Sequence, residues 1–462
     1  MKPSSKYLDL YAVAGNPIAH SKSPVIFNNL FEKENISAYY SRILASSFEG
    51  IQDLIETYDL KGINVTSPFK VEAYRLFHHN LDHNTKKMYS FNTIARHGKY
   101  YSGYNTDVAG VRITLLDNNL DKKEISRILI LGTGPAARSA AAAAIDVYSE
   151  NATYYLFSRS EARAKEFKEL YFKNFEPQLE LKNAISDADL VINCSTNVAQ
   201  NDLESVSFAG KVVLDANYAD SQFEKQVNET GGTFISGESW LLNQALESYN
   251  YFTGEKINDV EDKWSLLVEK DKRNDKNHEA ISRKPITLIG FMGAGKTEAG
   301  RLTAKKLGLD FTDIDEEIEK QCGKSISDIF REDGEKKFRE IESKLLEETI
   351  NSKDGIISCG GGVVENSDNR NLLLEKSWPI NLHVSPEFAL KRIDISNRPM
   401  LWGENPQEKA FRLFNNRKYD YFTTSQLTVN TNEFDLKEVC EIIEQAINVV
   451  GKDDYWNKKI EY

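Results

Sequence analysis

Ile286-Thr287-Leu288-Ile289-Gly290-Phe291-Met292-Gly293-Ala294-Gly295-Lys296-Thr297 is the stretch that decides the fold of the C-terminal part of this chain. A short apolar run enters Gly-x-x-x-x-Gly-Lys-Thr, and residues 299–307 then read as a helix. Strand, glycine loop and helix in that order form a phosphate cradle, in which backbone amides wrap the phosphates, the lysine meets the transferring phosphoryl group and the threonine hydroxyl ligates Mg2+. The spacing assigns Gly290, Gly293, Ala294, Gly295, Lys296 and Thr297 to a bound nucleotide. It predicts an α/β P-loop domain with a parallel sheet that uses ATP and Mg2+.

Upstream, a second apolar run, Ile128-Leu129-Ile130-Leu131, enters Gly132-Thr133-Gly134, and the alanine-rich residues 136–144 follow. Small residues at this spacing let the strand turn tightly and let amides at a helix N-terminus approach a pyrophosphate, which assigns Gly132, Gly134, Ala136 and Ala137 to a dinucleotide in a Rossmann-like domain. The motif alone is weak, and the strand Tyr154-Tyr155-Leu156-Phe157 at the right distance strengthens it. Where an NAD enzyme presents a carboxylate to the ribose, this chain has Ser158, Arg159 and Ser160, with Arg163 one turn on. Cations there suit a 2′-phosphate, so NADP is expected; the competing reading is a pair of solvated arginines on a helix surface.

With 462 residues the chain exceeds one ordinary hydrophobic core, and two or three domains are expected. Its 58 basic and 70 acidic residues give a formal charge of -12. That charge repels phosphate backbones and anionic lipid, so no nucleic-acid and no membrane partner is expected, while a few local arginines still suffice for a small anionic metabolite. Cys194, Cys322, Cys359 and Cys440 lie far apart with no CxxC pair, which argues against a disulfide framework and a zinc knuckle. A polar start and the absence of any apolar run of spanning length lead us to expect no signal peptide, no membrane segment and a cytoplasmic location. Residues 269–284 are dense in charge without apolar periodicity and read as a linker.

Four blocks resemble shikimate dehydrogenases in the order that family shows them: Gly15-Asn16-Pro17-Ile18-Ala19-His20-Ser21-Lys22-Ser23-Pro24, Asn64-Val65-Thr66-Ser67-Pro68-Phe69-Lys70, Asn92-Thr93-Ile94 and Gly103-Tyr104-Asn105-Thr106-Asp107. The resemblance spans roughly the first 260 residues and implies a substrate domain plus the Rossmann-like NADP domain. A polyhydroxylated ring acid needs short hydroxyl and amide groups to read it, and Ser21, Ser23, Thr66, Asn92 and Gln244 are of that kind, with Tyr218 a weaker contact. Ketone reduction needs a proton for the nascent alkoxide; the resemblance gives that role to Lys70, with Asp107 beside it. Taken singly, Lys70 reads as a solvated lysine and Asp107 as a helix N-cap. His20 reads as structural, and His78, His79 and His83 as members of a polar surface helix, so no metal is expected in this half. Two departures stand out: Ser90-Phe91 replaces the family's Gly-Ala-Val and suggests a bulkier pocket wall, and Leu214-Asp215-Ala216-Asn217-Tyr218 lacks the usual following proline.

From Thr287 to about Val449 the chain resembles shikimate kinases, through the P-loop, Asp313-x-Asp315, Gly334-Glu335-x-x-Phe338-Arg339, Gly360-Gly361-Gly362 and Arg398-Pro399-Met400-Leu401. Residues two apart on a strand project from one face, so Asp313 and Asp315 are expected to point into one pocket. The resemblance puts Asp313 near the magnesium waters and has Asp315 orient or deprotonate the attacking hydroxyl. It has Arg339 and Arg417 clamp the ring carboxylate above Gly360, Gly361 and Gly362. Arg398 would close over the phosphates beside a lid at Gly403-Glu404-Asn405-Pro406, and Arg392 would lie over the adenine or on a helix surface. The expected division is 1–110 as substrate domain completed by 236–265, 111–235 as NADP domain, 266–284 as linker and 285–462 as kinase. Expected partners are the small molecules 3-dehydroshikimate and shikimate, reduced and then phosphorylated, and a homodimer is allowed for. A quinate-preferring dehydrogenase, and a half that only binds ligand, remain open as alternatives.

Overall fold

The computed structural model describes residues 8–76, 81, 83–149, 152–178, 180–195, 198, 200–218, 221–257, 263–268 and 284–450. The chain divides into two compact units, one made of Met1–Lys61 with Val268–Tyr462 and the other of Gly62–Leu267. Of the expected linker 266–284, residues 269–283 lie outside the described residues, as do His78 and His79.

In the first unit the strands lie in the spatial order Phe311–Asp313, Ile356–Ser358, Ile286–Ile289, Trp378–His383, Leu427–Asn430, Ala38–Leu44, Asp9–Ala14. All neighbours are parallel. Ile286–Ile289, Trp378–His383 and Leu427–Asn430 are buried at every position. Strands of a parallel sheet covered on both faces are buried along their length, and the polar residues these strands carry, Thr287, Asn381, His383, Thr428 and Asn430, are buried and hydrogen-bonded. The central strand Ile286–Ile289 runs into the glycine loop and the helix Lys296–Leu307, as the motif predicts.

Beyond Leu427–Asn430 the sheet continues into the N-terminal strands, with Thr428 opposite Ile43 and Val429 opposite Leu44. Residues 9–44, expected in a substrate domain of their own, thus share a sheet with strands of the region expected to be the kinase. No local pattern announces this pairing. It joins two strands that would otherwise present open hydrogen-bonding edges, and an open edge favours any partner of matching register.

In the second unit a six-stranded sheet has the order Thr233–Ser236, Val212–Asp215, Leu190–Asn193, Arg127–Leu131, Thr153–Phe157, Phe175–Gln178. All its strands are parallel. Strand order reverses about Arg127–Leu131, which opens a crevice at the carboxyl ends of the strands. The helix Pro135–Tyr148 covers this sheet with Ala137, Ala140, Ala141, Ala143 and Ala144, all fully buried. Their small side chains set a close helix-to-sheet spacing, so Ala137 acts through packing. An antiparallel ladder joins Gly62–Val65, Thr93–His97 and Tyr100–Tyr104. The helices Thr106–Asp117 and Gly237–Thr253 cross at Gly110, where a Cβ would stand 2.8 Å from Trp240 and 2.9 Å from the Gln244 Cβ. Among the described residues no helix is long and apolar enough to cross a membrane.

Candidate active sites

In the second unit, Lys70 opens the helix Lys70–Leu76 and Asp107 lies in the first turn of Thr106–Asp117. They form an ion pair at 2.5 Å, with side-chain exposures of only 16% and 10%. Their shielding raises the pair's value above that of a surface bridge, and a carboxylate in a helix's first turn also gains from the helix dipole. Trp240 donates its indole N–H to the other Asp107 oxygen at 3.3 Å. The carboxylate therefore has one oxygen fixed by Trp240 and the other on the Lys70 ammonium.

Beside the pair runs a buried polar network. Asn92 accepts from the Thr106 amide at 2.8 Å and donates to Thr106 Oγ1 at 2.9 Å and to Gln244 Oε1 at 3.2 Å. Asn64 donates to Thr93 Oγ1 at 3.0 Å and to Ser248 Oγ at 2.9 Å. A satisfied network of this kind fixes rotamers, since each buried group would lose free energy if left unpaired. Thr66 is half-buried in the turn that leads to Lys70. Tyr218 is half-buried after the strand Val212–Asp215. Phe91, expected to thicken the pocket wall, is instead sealed in the core, packed on the Gly103 backbone, where a Cβ would meet its ring at 2.9 Å. The aromatic ring partitions into the apolar layer, so this departure does not narrow the site.

At the dinucleotide loop, Gly132 has φ +109° and donates its amide to the Phe157 carbonyl at 2.9 Å. A side chain there would be strained and would meet Cys194 backbone at 3.4 Å. Gly134 caps the helix Pro135–Tyr148 with open space around it. A cavity of about 310 Å³ adjoins this loop, lined among others by Arg75, Gly134, Arg138, Arg163 and Tyr171. Arg138 lies over the Tyr171 ring at 4.7 Å, and its Nε is buried with no hydrogen-bond partner among the described residues. A glycine-lined helix start with a buried, under-satisfied guanidinium fits an anionic dinucleotide. Ser158, Arg159 and Ser160 follow the strand Thr153–Phe157, with Arg159 exposed and Ser160 capping the next helix through the Arg163 amide. A larger cavity, about 720 Å³, is lined by Ser158, Lys165, Lys168, Gln178 and neighbours. It contains neither Lys70, Asp107 nor the glycines, and we place no chemistry in it.

Ser21 and Ser23 belong to the first unit, both buried, at the start of the helix Ser23–Lys33. The Ser23 amide donates to Ser21 Oγ at 3.3 Å. Burial and the Arg42 charge hold the neighbouring His20 below its usual range, in keeping with a structural histidine.

In the phosphate loop Gly290, Gly293 and Gly295 take φ of +137°, +76° and +84°. A Cβ at Gly290 would overlap the Leu382 carbonyl, so the loop can approach the next strand only as glycine. Lys296 donates to the Gly290 and Phe291 carbonyls at 2.9 and 3.1 Å, and Thr297 donates to Asp313 at 2.7 Å. The threonine hydroxyl beside a carboxylate suits Mg2+, although Asp313 also caps the helix Ile314–Cys322 by accepting from the Asp315 and Glu316 amides. Asp315 lies in that helix's first turn and not on the strand, which ends at Asp313. The two carboxylates are close through the cap geometry, because the chain turns at Asp313, and not through strand alternation.

Burial pushes the Asp315 carboxyl up to about 7, with the Asp313 and Glu342 charges adding to it and those of Lys296 and Arg398 opposing. Burial pulls the Lys296 ammonium down to about 8. The interior penalises both charges, and only a bound polar ligand or each other can compensate. Asp315 Oδ1 has no hydrogen-bond partner among the described residues, and neither have Glu342 Oε1, Arg339 Nε and Arg417 Nη2. These buried atoms gather about the glycine triplet. A Cβ on Gly360 would stand 2.5 Å from Glu342 and 2.8 Å from Asp315, and one on Gly362 would overlap the Arg339 guanidinium. Arg339 pairs with Glu342 at 2.7 Å and with Glu365 at 3.5 Å, while Arg417 pairs with Glu365 at 2.9 Å and donates to the Gly361 carbonyl at 3.3 Å. One shared carboxylate, Glu365, thus holds the two guanidinium forks side by side despite their like charge.

Arg398 is exposed, and in the nearby segment expected to be a lid Gly403 and Asn405 have positive φ. Arg392 is exposed and donates to the Thr431 carbonyl at 2.9 Å. Trp240, Arg138, Glu342 and Glu365 escaped the sequence reading. Glu342 sits one turn from Arg339, a spacing that signals a helical ion pair, but no local signal links Glu365 to either arginine. If this site holds shikimate as the resemblance implies, replacing Gly362 with alanine should displace Arg339 and raise the KM for shikimate about tenfold while leaving the KM for ATP within about twofold. Steady-state titration of each substrate checks this.

Known proteins match both parts of the chain. Residues 292–448 match the shikimate kinase family model, and residues 13–94 match that of the shikimate dehydrogenase substrate binding domain. A shikimate kinase from Thermodesulfovibrio yellowstonii is 40% identical over 161 residues, which is 35% of this chain and 92% of that protein. One from Thermobifida fusca is 39% identical over 173 residues, 37% of this chain and 99% of the relative. The crystal structure of shikimate dehydrogenase from Aquifex aeolicus covers 58% of this chain and 98% of its own, with 25% identity and a TM-score of 0.50. The chain therefore belongs to the shikimate kinase family through its C-terminal part, while the part ahead of it matches the shikimate dehydrogenase substrate binding domain over residues 13–94 and is similar in fold to a shikimate dehydrogenase.

Proposed function

We propose that this chain catalyses two consecutive steps, the NADPH-dependent reduction of 3-dehydroshikimate to shikimate and the Mg-ATP-dependent phosphorylation of shikimate to shikimate 3-phosphate. Residues 1–110 with 236–265 bind the first substrate, 111–235 the dinucleotide, and 285–462 carry out phosphorylation. When bound, NADPH supplies the hydride, ATP the phosphoryl group and Mg2+ the neutralising charge.

The rest falls to the chain's own side chains. Lys70 Nζ donates a proton to the oxygen that becomes the alcohol, and Asp107 keeps the ammonium aimed. Ser21, Ser23, Thr66, Asn92, Tyr218 and Gln244 read the ring's hydroxyls and carboxylate. Arg159 and Arg163 with Ser158 and Ser160 take the 2′-phosphate, and Arg138 supports the glycine loop. In the kinase half, Arg339 and Arg417 hold the ring carboxylate in two planar forks. Asp315 accepts the proton of the attacking hydroxyl, Lys296 and Arg398 stabilise charge on the transferring group, and Thr297 with Asp313 would hold the metal and its waters. Arg392 lies toward the adenine side.

The observation that carries the reading is the complementarity of the two reacting groups. A shielded ammonium–carboxylate pair is built to make an alcohol, and a buried carboxyl with a high pKa is built to deprotonate one. The test is a coupled assay with 3-dehydroshikimate, NADPH and Mg-ATP, following NADPH by absorbance and products by mass. Shikimate 3-phosphate is the expected product. Accumulation of shikimate would sink the kinase assignment, and no NADPH loss would sink the dehydrogenase assignment.

The cofactor reading has its own check. Replacing both Arg159 and Arg163 with alanine should raise the KM for NADPH about 10- to 100-fold, the loss of charge-assisted bonds to a phosphate, and change the KM for NADH less than about threefold.

A further inference from the structure

The strand Ala38–Leu44 carries Arg42, whose guanidinium is among the largest groups fully buried in the protein, at 2% exposure. Arg42 donates from Nη2 to the Ser21 carbonyl at 2.6 Å and from Nε to the same oxygen at 3.1 Å. Its Nη1 donates to the Gln426 carbonyl at 3.2 Å and to Gln426 Oε1 at 3.4 Å. One planar cation thus spans from the Ser21 turn to the residue that immediately precedes the kinase strand Leu427–Asn430.

The contact around it is built. Tyr39 and Ser41 each donate to the Ser425 carbonyl at 3.0 Å. Glu433 accepts from the Ser46 amide at 2.9 Å and from the Ser47 hydroxyl at 2.7 Å, and Asn430 donates to the Gly50 carbonyl at 3.1 Å. Deeper in the seam, Asn381 donates to the Tyr58 hydroxyl at 3.0 Å, and that hydroxyl lies 3.1 Å from His383 Nδ1. Burying an arginine costs free energy unless its donors meet acceptors. Here acceptors come from two sides, the Ser21 turn and the kinase chain, so neither side alone completes the site. Lysine, with one compact ammonium, cannot bridge both.

We propose that Arg42, anchored by Gln426 of the kinase half, is a positioning residue for the dehydrogenase: it fixes the Ser21 turn, so that ketone-substrate affinity depends on a side chain and a backbone carbonyl supplied by the kinase. The inference rests on the reading that Ser21 binds this substrate. Its physical basis is preorganisation, because a serine held in its bound orientation before substrate arrives loses less conformational freedom on binding. Arg42 touches no reacting atom, so its removal affects KM and leaves proton and hydride transfer intact.

The test uses the full chain and a thermodynamic cycle with Ser21→Ala, Arg42→Lys and the double variant, read by dehydrogenase KM and kcat, with phosphorylation by Arg42→Lys as an internal control of folding in the unit that holds both. The expected result is a rise of about tenfold in KM for 3-dehydroshikimate in each single variant, no further rise in the double variant, and for Arg42→Lys a kcat, a KM for NADPH and kinase constants within about twofold. Gln426→Ala, which leaves the backbone acceptor in place, should raise the same KM about two- to threefold, and it reads the anchor if Arg42→Lys proves insoluble. A KM that responds to Ser21→Ala but to neither Arg42→Lys nor Gln426→Ala, or single effects that multiply, overturns the positioning role while the Ser21 reading stands. A Ser21→Ala enzyme with unchanged KM overturns the Ser21 reading itself, and the proposal with it.

Discussion

Lys70→Ala is expected to lower dehydrogenase kcat by about 10²- to 10⁴-fold, the range for losing a positioned general acid, while phosphorylation of shikimate by the same molecule stays within about twofold. The split follows from how locally the ammonium is held. Its partner Asp107 lies 2.5 Å away, and Trp240 holds the other carboxylate oxygen, so the remaining site keeps its shape when the lysine is truncated. The buried Asn92, Thr106, Gln244 and Ser248 network does not include Lys70 and should keep its geometry in the variant. KM for the ketone should therefore move far less than kcat, the signature of an interaction made chiefly in the transition state. Stopped-flow measurement of NADPH oxidation at saturating substrate checks it. A variant that keeps more than about a tenth of the wild-type rate would remove Lys70 from proton transfer.

Asp315→Asn is expected to lower kinase kcat by a similar 10²- to 10⁴-fold and to change the pH profile. In the free enzyme the carboxyl is held near 7 by burial, with the Asp313 and Glu342 charges adding to that. Only the ionised form accepts a proton from the attacking hydroxyl. The sign follows directly: a base raised to this value is mostly protonated at pH 6 and mostly ionised at pH 8, so kcat/KM should climb through the interval, and loss of the Lys296 ammonium, which burial pulls down to about 8, should turn the profile down above it. The asparagine variant has no such group, and its residual activity should lose that acid limb. Measuring kcat/KM from pH 5.5 to 8.5 in both proteins decides the matter, because a wild-type profile flat across the interval excludes Asp315 as the titrating base. The glycine at 360 belongs to the same argument, since a Cβ there would press on Asp315 and Glu342 together.

The sequence alone determined the elements whose causes are local. The apolar runs at 128–131 and 286–289, each entering a glycine loop, became central strands followed by helices, because small residues at fixed offsets are what such turns need. Lys70 and Asp107 were legible only through the ordered blocks around them. Asp313 and Asp315 were legible as a pair but for the wrong reason, since the chain turns into a helix at Asp313 and local alternation ends there.

Only the tertiary structure decided which distant groups meet. Trp240 reaches Asp107 because two helices cross at Gly110, and Glu365 joins Arg339 to Arg417 across separate elements. Above all, it joined the strand Ala38–Leu44 to the strand Leu427–Asn430 and set Arg42 between Ser21 and Gln426. Hydrophobic period and turn chemistry act within a few residues along the chain, whereas the pairing of two strand edges depends on backbone groups every residue possesses. That pairing leaves no compositional mark in the sequence, and it is settled by which edge each folded layer leaves open.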